Sequence, residues 1–433
     1  MMLHLLYELL LGILAVLALP KFLYDCLLHK KYRTNFLLRL GVGFPRIEKG
    51  SKPLIWLHAV SVGETKAIAP LARLICAQMP EAVLVISSVT ETGHAEALRS
   101  IPFAHHHVYL PFDFLFIVRP IVRKARPDVF ILCETDFWYN FLDQCKKCGA
   151  KIFLVNGKLS ERSAQRYAKL PFVVHALFSP IDRFCVQNAL YAKRFADIGI
   201  PSEKIEVLGN LKFDGVDSRM SADECAKWKI SLGIEVGQPV VVLGSTHDPE
   251  EKLLLQALQV VWERFPQLKV LVVPRHPERF SSVFKFIQSE NISCARLSNL
   301  AAKTGHERVV VIDALGVLLK CYQIADVAVV CGSFTPRVGG HNILEPCAYA
   351  VPVVFGPHMH GQRELVEWVI DNQVGHAAGL QVSLDALPST LMHLLAHPEL
   401  RQQIGQAGVH LVQSQRGSTK KTWEVIREVS EKK

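Results

Sequence analysis

Short apolar runs rich in valine and isoleucine recur along this chain, and each precedes a polar loop and a segment long enough for a helix. The runs are residues 53–57, 83–88, 129–133 and 152–155 in the first half, and residues 240–243, 268–273, 309–313, 327–331 and 351–355 in the second. Strands that alternate with helices form parallel sheets. Because 433 residues exceed what one compact core usually holds, the pattern predicts an α/β fold with two doubly wound, Rossmann-like domains.

A polar stretch separates the two halves. Residues 217–224 are low in hydrophobicity and follow the motif Gly-Asn-Leu-Lys-Phe-Asp at residues 209–214, a pattern typical of a linker. We therefore predict a first domain over residues 22–215 and a second over residues 216–433, whose last helix is able to pack back on the first domain. Two similar halves joined by a short linker indicate a cleft between them.

The N-terminal segment, residues 3–20, is almost wholly apolar apart from His4 and Glu8. It is slightly shorter than the roughly 20 residues of a relaxed membrane span, so a tilted span and a shallow anchor both fit. Lysines and arginines come only after it, from Lys21 onwards. This asymmetry favours an uncleaved anchor at residues 1–21, with the following domain in the cytoplasm, over a cleaved signal peptide.

The formal charge of +9 predicts an acidic partner. No long Lys/Arg run interleaved with aromatics is present, which favours an anionic membrane surface over nucleic acid. Residues 112–126 join apolar side chains to a basic set, and they fit either a segment lying on a bilayer or a core helix with a charged edge. Pro120 argues against one uninterrupted helix there. Eleven scattered cysteines are typical of buried thiols in a reducing compartment.

A glycine-rich turn at residues 332–346 follows the apolar run 327–331 and leads into a predicted helix start at Leu344. Adjacent glycines allow close backbone approach, and the amides at a helix N-terminus attract anions. Glu345 in the first turn would accept hydrogen bonds from ribose hydroxyls. The turn therefore predicts a nucleotide site, and the alternative is a structural turn with a capped helix.

Polar residues follow the predicted strands, where ligands bind on parallel sheets. Glu64 follows Gly63 at a strand-to-helix junction, so it is either a general base in a cleft or an exposed first-turn glutamate. Glu134 and Asp136 point to opposite sides if the chain is extended, so one of them faces the cleft. Lys212, Arg275 and His276 are cations able to hold a phosphate. The chain has no Asp-x-Asp pair, which argues against a metal-bridged pyrophosphate.

Five ordered motifs resemble those of the 3-deoxy-D-manno-octulosonic acid (Kdo) transferases, and the resemblance covers essentially the whole chain. They are His-Ala-Val-Ser-Val-Gly-Glu at residues 58–64, Glu-Thr-Asp-Phe-Trp at 134–138, the motif at 209–214, Pro-Arg-His at 274–276, and Gly-Gly-His-Asn-Ile-Leu-Glu-Pro at 339–346. The resemblance implies the GT-B architecture, with two Rossmann-like domains facing across a cleft and an N-terminal membrane anchor. The first domain would bind the acceptor and the second the donor, CMP-Kdo.

The same resemblance implies an activity and a location. The enzyme would move Kdo from CMP-Kdo to a lipid A precursor, lipid IVA, with inversion and without a metal or other cofactor. One or more Kdo residues would be added during assembly of the lipopolysaccharide core. The reaction would take place at the cytoplasmic face of the cell inner membrane.

Carried over position by position, the resemblance implies a set of site residues. Glu64 matches the base, and Glu134 and Lys212 match groups that stabilise the transition state. The CMP-binding segments are Pro274 with Arg275, Leu315 with Gly316 and Val317, and Asn342 with Ile343, Leu344 and Glu345; Ser245, Thr246, His276, Gly339 and Gly340 are further contacts. Asp136, Phe137 and Tyr139 depart from the pattern, because the family more often has Glu, an aliphatic residue and Pro there.

Other classes remain open from the residues alone. A dinucleotide-dependent oxidoreductase would also be α/β, but no G-x-G-x-x-G follows the first strand. Another GT-B nucleotide-sugar transferase would share the fold and the turns. A non-catalytic membrane scaffold would explain the N-terminal segment but not the polar clusters that follow the strands.

Overall fold

The computed structural model describes residues 2–28, 35–135, 137–215, 219–302, 306–370 and 377–431. The chain divides into two compact units, one comprising Met1–Gly215 with Arg416–Lys433 and the other Val216–Gln415. Each unit contains a seven-stranded sheet, and every strand pair in both sheets is parallel. The prediction of two parallel α/β domains is confirmed.

Among the described residues, the first unit has seven strands and ten α-helices. Its strands are β1 (Leu54–His58), β2 (Val83–Ser88), β3 (His106–Tyr109), β4 (Val129–Cys133), β5 (Lys151–Gly157), β6 (Arg183–Val186) and β7 (Ile205–Val207). Its helices are α1 (Met2–Leu28), α2 (Phe36–Arg39), α3 (Val62–Gln78), α4 (Glu91–Ser100), α5 (Leu115–Ala125), α6 (Tyr139–Lys147), α7 (Glu161–Ala168), α8 (Pro171–Phe178) and α9 (Ala189–Asp197), with α18 (Ser418–Glu431) from the end of the chain.

The second unit supplies the other strands and helices. Its strands are β8 (Val240–Thr246), β9 (Lys269–Pro274), β10 (Cys294–Arg296), β11 (Val309–Val311), β12 (Val327–Val330), β13 (Val353–Phe355) and β14 (Gly379–Gln381). Its helices are α10 (Ala222–Ser231), α11 (Glu250–Arg264), α12 (Phe280–Ser289), α13 (Leu318–Tyr322), α14 (Leu344–Cys347), α15 (Arg363–Ile370), α16 (Leu387–Ala396) and α17 (Pro398–Ser414).

The strand order places one reversal point in each sheet. The first sheet runs β3-β2-β1-β4-β5-β6-β7 and the second β10-β11-β9-β8-β12-β13-β14. In the first, the chain moves outward from β1 and then returns to β4 on the other side of β1; in the second, β8 and β12 stand in the same relation. Loops at such a reversal leave a crevice at the carboxyl ends of the two strands, where ligands bind. Ligands are therefore expected at the loops after β1, β4, β8 and β12.

The central strands form because their apolar runs are buried on both faces. All five residues of β1 are buried, and Trp56 pairs in register with Phe130 of β4. A strand covered by helices on both faces needs apolar side chains at every position rather than alternating ones. This explains why the central strands were predicted from the sequence. The edge strands β3, β7, β10 and β14 and the strand β6 were not predicted, because they are three or four residues long and partly polar.

Three expectations are corrected by the structure. No helix in the part of the chain that the structure describes is both long and apolar enough to cross a membrane, so the predicted transmembrane anchor is not supported. Helix α5 passes through Pro120 without interruption, because Pro120 lies on the exposed side, where water can satisfy the carbonyl that loses its partner. The predicted linker is partly helical: Ser221 and Glu224 form a capping box that starts α10. Its residues 217 and 218 lie outside the described residues.

The last helix belongs to the first unit. The Asp214 carboxylate accepts hydrogen bonds from the amides of Gly417 (2.8 Å) and Thr419 (2.6 Å) at the start of α18. Further along, the Trp423 indole donates to Gln78 Oε1 at the end of α3 (2.6 Å). These bonds cap the helix and hold it beside α3, which carries Glu64 in its first turn.

Acid stability provides a test of this packing. His58 is fully buried, and burial lowers its pKa from 6.5 to about 3. Below pH 6.5 the unfolded chain therefore binds a proton at this residue that the folded chain does not bind. The stability associated with neutral, buried His58 is fully present above pH 6.5 and is lost as the pH falls below that value. In the wild-type protein, His58 should lower the free energy of opening of β1 by about 2 kcal/mol between pH values of roughly 7.5 and 5. In His58→Gln this change should be absent.

Hydrogen exchange of the β1 amides at the two pH values measures this change. His410→Gln is the matched control, because His410 is exposed in the second unit. An unchanged pH dependence in His58→Gln would contradict the prediction.

Candidate active site

Glu64 is held by its own loop at the end of β1. Its carboxylate accepts hydrogen bonds from the Val60 amide (2.8 Å) and the Ser61 hydroxyl (3.0 Å), and Ser61 caps α3. The side chain is only 9% exposed, so the alternative of an exposed first-turn glutamate is wrong. The orientation of the carboxylate is therefore set before any ligand arrives.

The neighbouring loop after β2 supports this arrangement through a close backbone contact. The Thr90 hydroxyl donates to the Val60 carbonyl (2.9 Å), and it also accepts from the Gly93 amide at the start of α4 (3.0 Å). A Cβ at Gly93 would lie 2.7 Å from the Val60 carbonyl oxygen. Glycine is thus required where the two loops meet.

Glu134 directly follows β4 and is 5% exposed. Its backbone is left-handed, with φ of +64°, a conformation that costs a non-glycine residue energy and is often found at functional sites. The carboxylate makes two ion pairs, Oε2 with Lys158 Nζ at 2.6 Å and Oε1 with Lys212 Nζ at 3.3 Å. Asp136 lies outside the described residues.

The two lysines decide the charge state of Glu134. Burial acts to raise its pKa, but the positive charges of Lys212 and Lys158 outweigh burial, and the pKa is lowered. Two cations on one carboxylate leave a net charge of about +1 at this edge of the sheet. The group is therefore an ionised, cationic cluster in a desolvated place.

Lys212 lies near the end of the first unit. It lies in a short 3₁₀ turn, Leu211–Phe213, whose two apolar residues are fully buried in the first unit. The Leu211 amide donates to Asn156 Oδ1 (3.0 Å), which ties the turn to the end of β5. The Lys212 side chain is 18% exposed.

Glu64 and the Glu134 cluster follow two neighbouring strands, β1 and β4. Cys133, the last residue of β4, is a buried thiol whose pKa is raised by burial and, in addition, by the negative charges of Glu134 and Glu64. Lys212 and Lys158 act on the same thiol in the opposite direction. The three residues that the sequence predicted, together with Lys158, thus act on one buried thiol at the end of β4.

In the second unit, Glu250 organises the corresponding reversal. Its carboxylate accepts hydrogen bonds from the amides of Gly332 (2.7 Å) and Phe334 (2.9 Å), which follow β12. Glu250 opens α11 after β8. A buried carboxylate therefore ties the loop after β8 to the loop after β12.

The glycine-rich turn has packing reasons for its glycines. The Gly340 amide donates to the Gly332 carbonyl (2.7 Å). Cβ atoms at Gly339 and Gly340 would lie 2.6 Å from His360 Nε2 and 2.2 Å from Met359 Sδ. The predicted helix does start at Leu344, but it has only four residues, so its dipole is smaller than the prediction of an anion site assumed.

Two histidines that the sequence analysis did not single out join these loops. The Nε2 atoms of His247 and His341 are 2.8 Å apart and the rings are stacked, so one nitrogen donates and the other accepts. Burial lowers the pKa of His247 to about 4, helped by the nearby His276, so His247 is neutral at pH 7. His341 lies within the motif at residues 339–346, and His247 directly follows the predicted contacts Ser245 and Thr246; these positions were the available signal.

Several of the other predicted donor-site residues lie next to this pair along the chain or through a hydrogen bond. The Arg275 amide donates to the Thr246 carbonyl (3.2 Å), which places Pro274 and Arg275 beside Ser245 and Thr246. Asn342 Oδ1 accepts from the Leu344 amide (3.1 Å), just before Glu345. Residues Leu315, Gly316 and Val317 form the turn before α13, where Leu315 is 63% exposed.

The Glu134 cluster makes a measurable prediction. In Lys158→Ala the pKa of Glu134 should rise, because one of the two cations that outweigh burial is gone. Carbon-13 NMR titration of labelled glutamate carboxyl groups checks the shift. Lys146→Ala is the control, since its pair with Asp182 is a more exposed lysine–carboxylate pair in the same unit; a Glu134 titration unmoved in Lys158→Ala would contradict the argument.

Comparison with solved structures agrees with the architecture. A glycosyltransferase from Rickettsia africae superposes with a TM-score of 0.57 at 15% identity, covering 89% of this chain and 100% of that one. A UDP-GlcNAc 2-epimerase from Neisseria meningitidis gives a TM-score of 0.58 at 12% identity, covering 87% and 100%. At these identities the likeness concerns the fold alone.

Sequence relatives are closer. Residues 35–215 match the family model of 3-deoxy-D-manno-octulosonic-acid transferase (kdotransferase). The 3-deoxy-D-manno-octulosonic acid transferase of Chlamydophila psittaci is 34% identical over 423 residues, 98% of this chain and 95% of the relative. That of Haemophilus influenzae is 30% identical over 375 residues, 86% of each. With such similarity along most of its length, the chain belongs to the 3-deoxy-D-manno-octulosonic acid transferase family and is a glycosyltransferase.

Proposed function

We propose that this enzyme transfers Kdo from CMP-Kdo to lipid IVA, a lipid A precursor, with inversion and without a metal, adding one or more Kdo residues. The observation that carries the proposal is the pairing of an oriented carboxylate, Glu64, with the cationic Glu134 cluster at one sheet reversal. A displacement on a sugar needs a base for the attacking hydroxyl and a positive charge that stabilises the negative charge developing in the transition state. Both are provided within the first unit.

Glu64 takes the proton from the acceptor hydroxyl. The bonds from Val60 and Ser61 fix the direction of the carboxylate, and a base that is already oriented lowers the entropic cost of reaching the transition state. Inversion follows if this hydroxyl attacks from the side opposite the departing CMP.

Lys212 and Lys158 stabilise negative charge that develops as the bond to CMP breaks. Glu134 neutralises one of the two lysines and holds both in place. Low exposure strengthens the interaction of the remaining positive charge with the developing negative charge, since little water screens it. In this role Lys158 is added to the residues that the family resemblance implies.

The second unit holds the donor. The Arg275 guanidinium binds the CMP phosphate, and Glu345 accepts hydrogen bonds from the ribose hydroxyls. Asn342, Ile343 and Leu344 with the 315–317 turn complete the nucleotide contacts. Because cationic side chains carry the leaving-group charge, the proposed reaction proceeds without a metal.

We place the reaction at the cytoplasmic face of the inner membrane, where a lipid acceptor would be presented. Two surfaces of the first unit support this location. Helix α1 exposes a series of leucines, among them Leu9 and Leu17. Helix α5 exposes Phe116 (72%) next to Arg119, Arg123 and Lys124, and such a mixed surface suits an anionic bilayer.

Incubation with radiolabelled CMP-Kdo and a tetraacylated lipid A precursor tests the function directly. A labelled lipid that migrates more slowly than the precursor supports the proposal. Label transfer from a different nucleotide sugar, with none from CMP-Kdo, would favour another transferase of the same architecture.

Glu64→Gln should lower the transfer rate by at least about a thousandfold, because the amide cannot accept the proton while its shape is retained. CMP binding, measured by calorimetry, should stay within about twofold, since Glu64 is in the first unit and the proposed nucleotide residues are in the second. Glu81→Gln serves as the exposed control. Substantial residual transfer by Glu64→Gln would remove it from the role of base.

Arg275→Ala should raise the KM for CMP-Kdo by about tenfold or more, because a charge-assisted bond to phosphate is lost. Arg264→Ala, an exposed arginine in the same unit, should leave the KM unchanged. Steady-state kinetics at saturating acceptor distinguish the two variants. A normal donor KM in Arg275→Ala would place the phosphate elsewhere.

A further inference from the structure

The N-terminal helix carries a polar stripe that the proposed function does not use. His4, Tyr7 and Glu8 are spaced three and four residues apart and so share one face of α1. All three side chains are partly buried, whereas Leu5 (65% exposed) and Leu9 (62% exposed) beside them lie open. The stripe therefore faces the first unit, and the apolar face does not.

The stripe satisfies the N-terminus of α5. Glu8 Oε1 accepts a hydrogen bond from the Leu115 amide, the first residue of α5 (3.0 Å), and from Asn140 Nδ2 (2.6 Å). No side chain of α5's own N-cap residue, Phe114, makes a capping bond. An acid at this position satisfies an otherwise orphan amide and interacts well with the helix dipole.

The stripe also supports the N-terminus of α6. Asp113 accepts bonds from the amides of Asn140 (3.0 Å) and Phe141 (2.9 Å), in the first turn of α6. The Tyr7 hydroxyl donates to the same Asp113 carboxylate (2.8 Å). Asp113 is 3% exposed, so the bond from Tyr7 satisfies a carboxyl oxygen that water does not reach.

Aromatic contacts reinforce the attachment at the first residue of α6. The Tyr139 ring lies 4.7 Å from the His4 ring and 5.1 Å, edge-on, from the Tyr7 ring. Ring centroids at these separations and tilts are in favourable contact. The first residue of α6 is therefore held by α1 as well as by the rest of the unit.

This attachment is close in sequence to Glu134. Only residues 135–138 separate Glu134 from α6, and within them Phe137 packs edge-on against Phe178 at 4.6 Å. One end of the segment is fixed by the ion pairs of Glu134 and the other by the contacts to α1. A left-handed residue such as Glu134 keeps its backbone only when the surrounding structure holds it.

We infer that α1 positions Glu134: Tyr7 and Glu8 hold the start of α6 and so keep Glu134 in the geometry that transfer requires. Neither side chain touches substrate, so both are positioning residues. The inference rests on the proposed role of Glu134. It gives the N-terminal helix a part in the reaction separate from any contact with a membrane.

The double substitution Tyr7→Phe with Glu8→Ala tests the inference in the full-length protein. With detergent-dispersed acceptor at saturation, we expect the kcat for transfer to fall by about tenfold or more, since small misplacements of catalytic groups have effects of this size. The KM for CMP-Kdo should change by less than about twofold. Hydrogen exchange of the amides at residues 139–142 should become faster, while that of β1 stays the same.

Two further variants separate positioning from general destabilisation. Asn188→Ala removes the cap of α9, where Asn188 accepts from the Tyr191 amide (2.9 Å), and it should leave kcat unchanged. Glu8→Gln alone keeps an acceptor oxygen for the Leu115 amide and should retain most of the kcat. Tyr7→Phe alone removes a single oxygen and should show an intermediate loss of kcat. It replaces the double variant as the test if the double variant folds poorly.

The inference is overturned if the double variant keeps a kcat within about twofold of wild type, with or without faster exchange at residues 139–142. It is also overturned if Asn188→Ala loses as much kcat as the double variant. If the wild-type protein makes no product, the proposed function fails instead, and unchanged exchange at residues 139–142 would then still disprove the attachment of α1.

Discussion

The buried carboxylate of Glu134 is the interaction on which the first unit's site depends. Burial alone would favour its neutral form, and a neutral acid would not hold two lysines. Because Lys158 and Lys212 come from different segments, the ionised group joins the ends of β4 and β5 to the turn at residues 211–213. The same contacts hold an unfavourable backbone conformation and leave positive charge at the end of β4, the strand beside the one that precedes Glu64.

The second unit also contains a buried carboxylate that holds loops together, that of Glu250. Burial raises the pKa of Glu250, while bonds from the amides of Gly332 and Phe334 act to lower it. Those amides would otherwise be orphaned in a buried loop. In both sheets a buried acid therefore ties together loops from two neighbouring strands: Glu250 joins the loops after β8 and β12 at the reversal, and Glu134 joins the ends of β4 and β5 beside it. The two units differ in whether lysines or backbone amides satisfy the charge.

Much of the architecture was predictable because it is encoded locally. Apolar runs such as those of β1 and β4 are buried on both faces, so composition alone identified them. The short edge strands were missed because hydrogen bonds to a neighbour, rather than apolar content, define them. Pro120 was misread because whether a proline breaks a helix depends on which side of the helix is solvated.

The sequence by itself determined the parallel α/β class, the motifs that identify the family, and the presence of Glu64, Glu134 and Lys212 near strand ends. Only the tertiary structure decided that Lys158 shares a carboxylate with Lys212, that the glycines at 339 and 340 are needed for packing, and that His4, Tyr7 and Glu8 face α5 and α6. Local propensities act over a few residues, whereas charge pairing and burial join groups that lie far apart along the chain. Their partners are known only once the sheet has set the order of its strands.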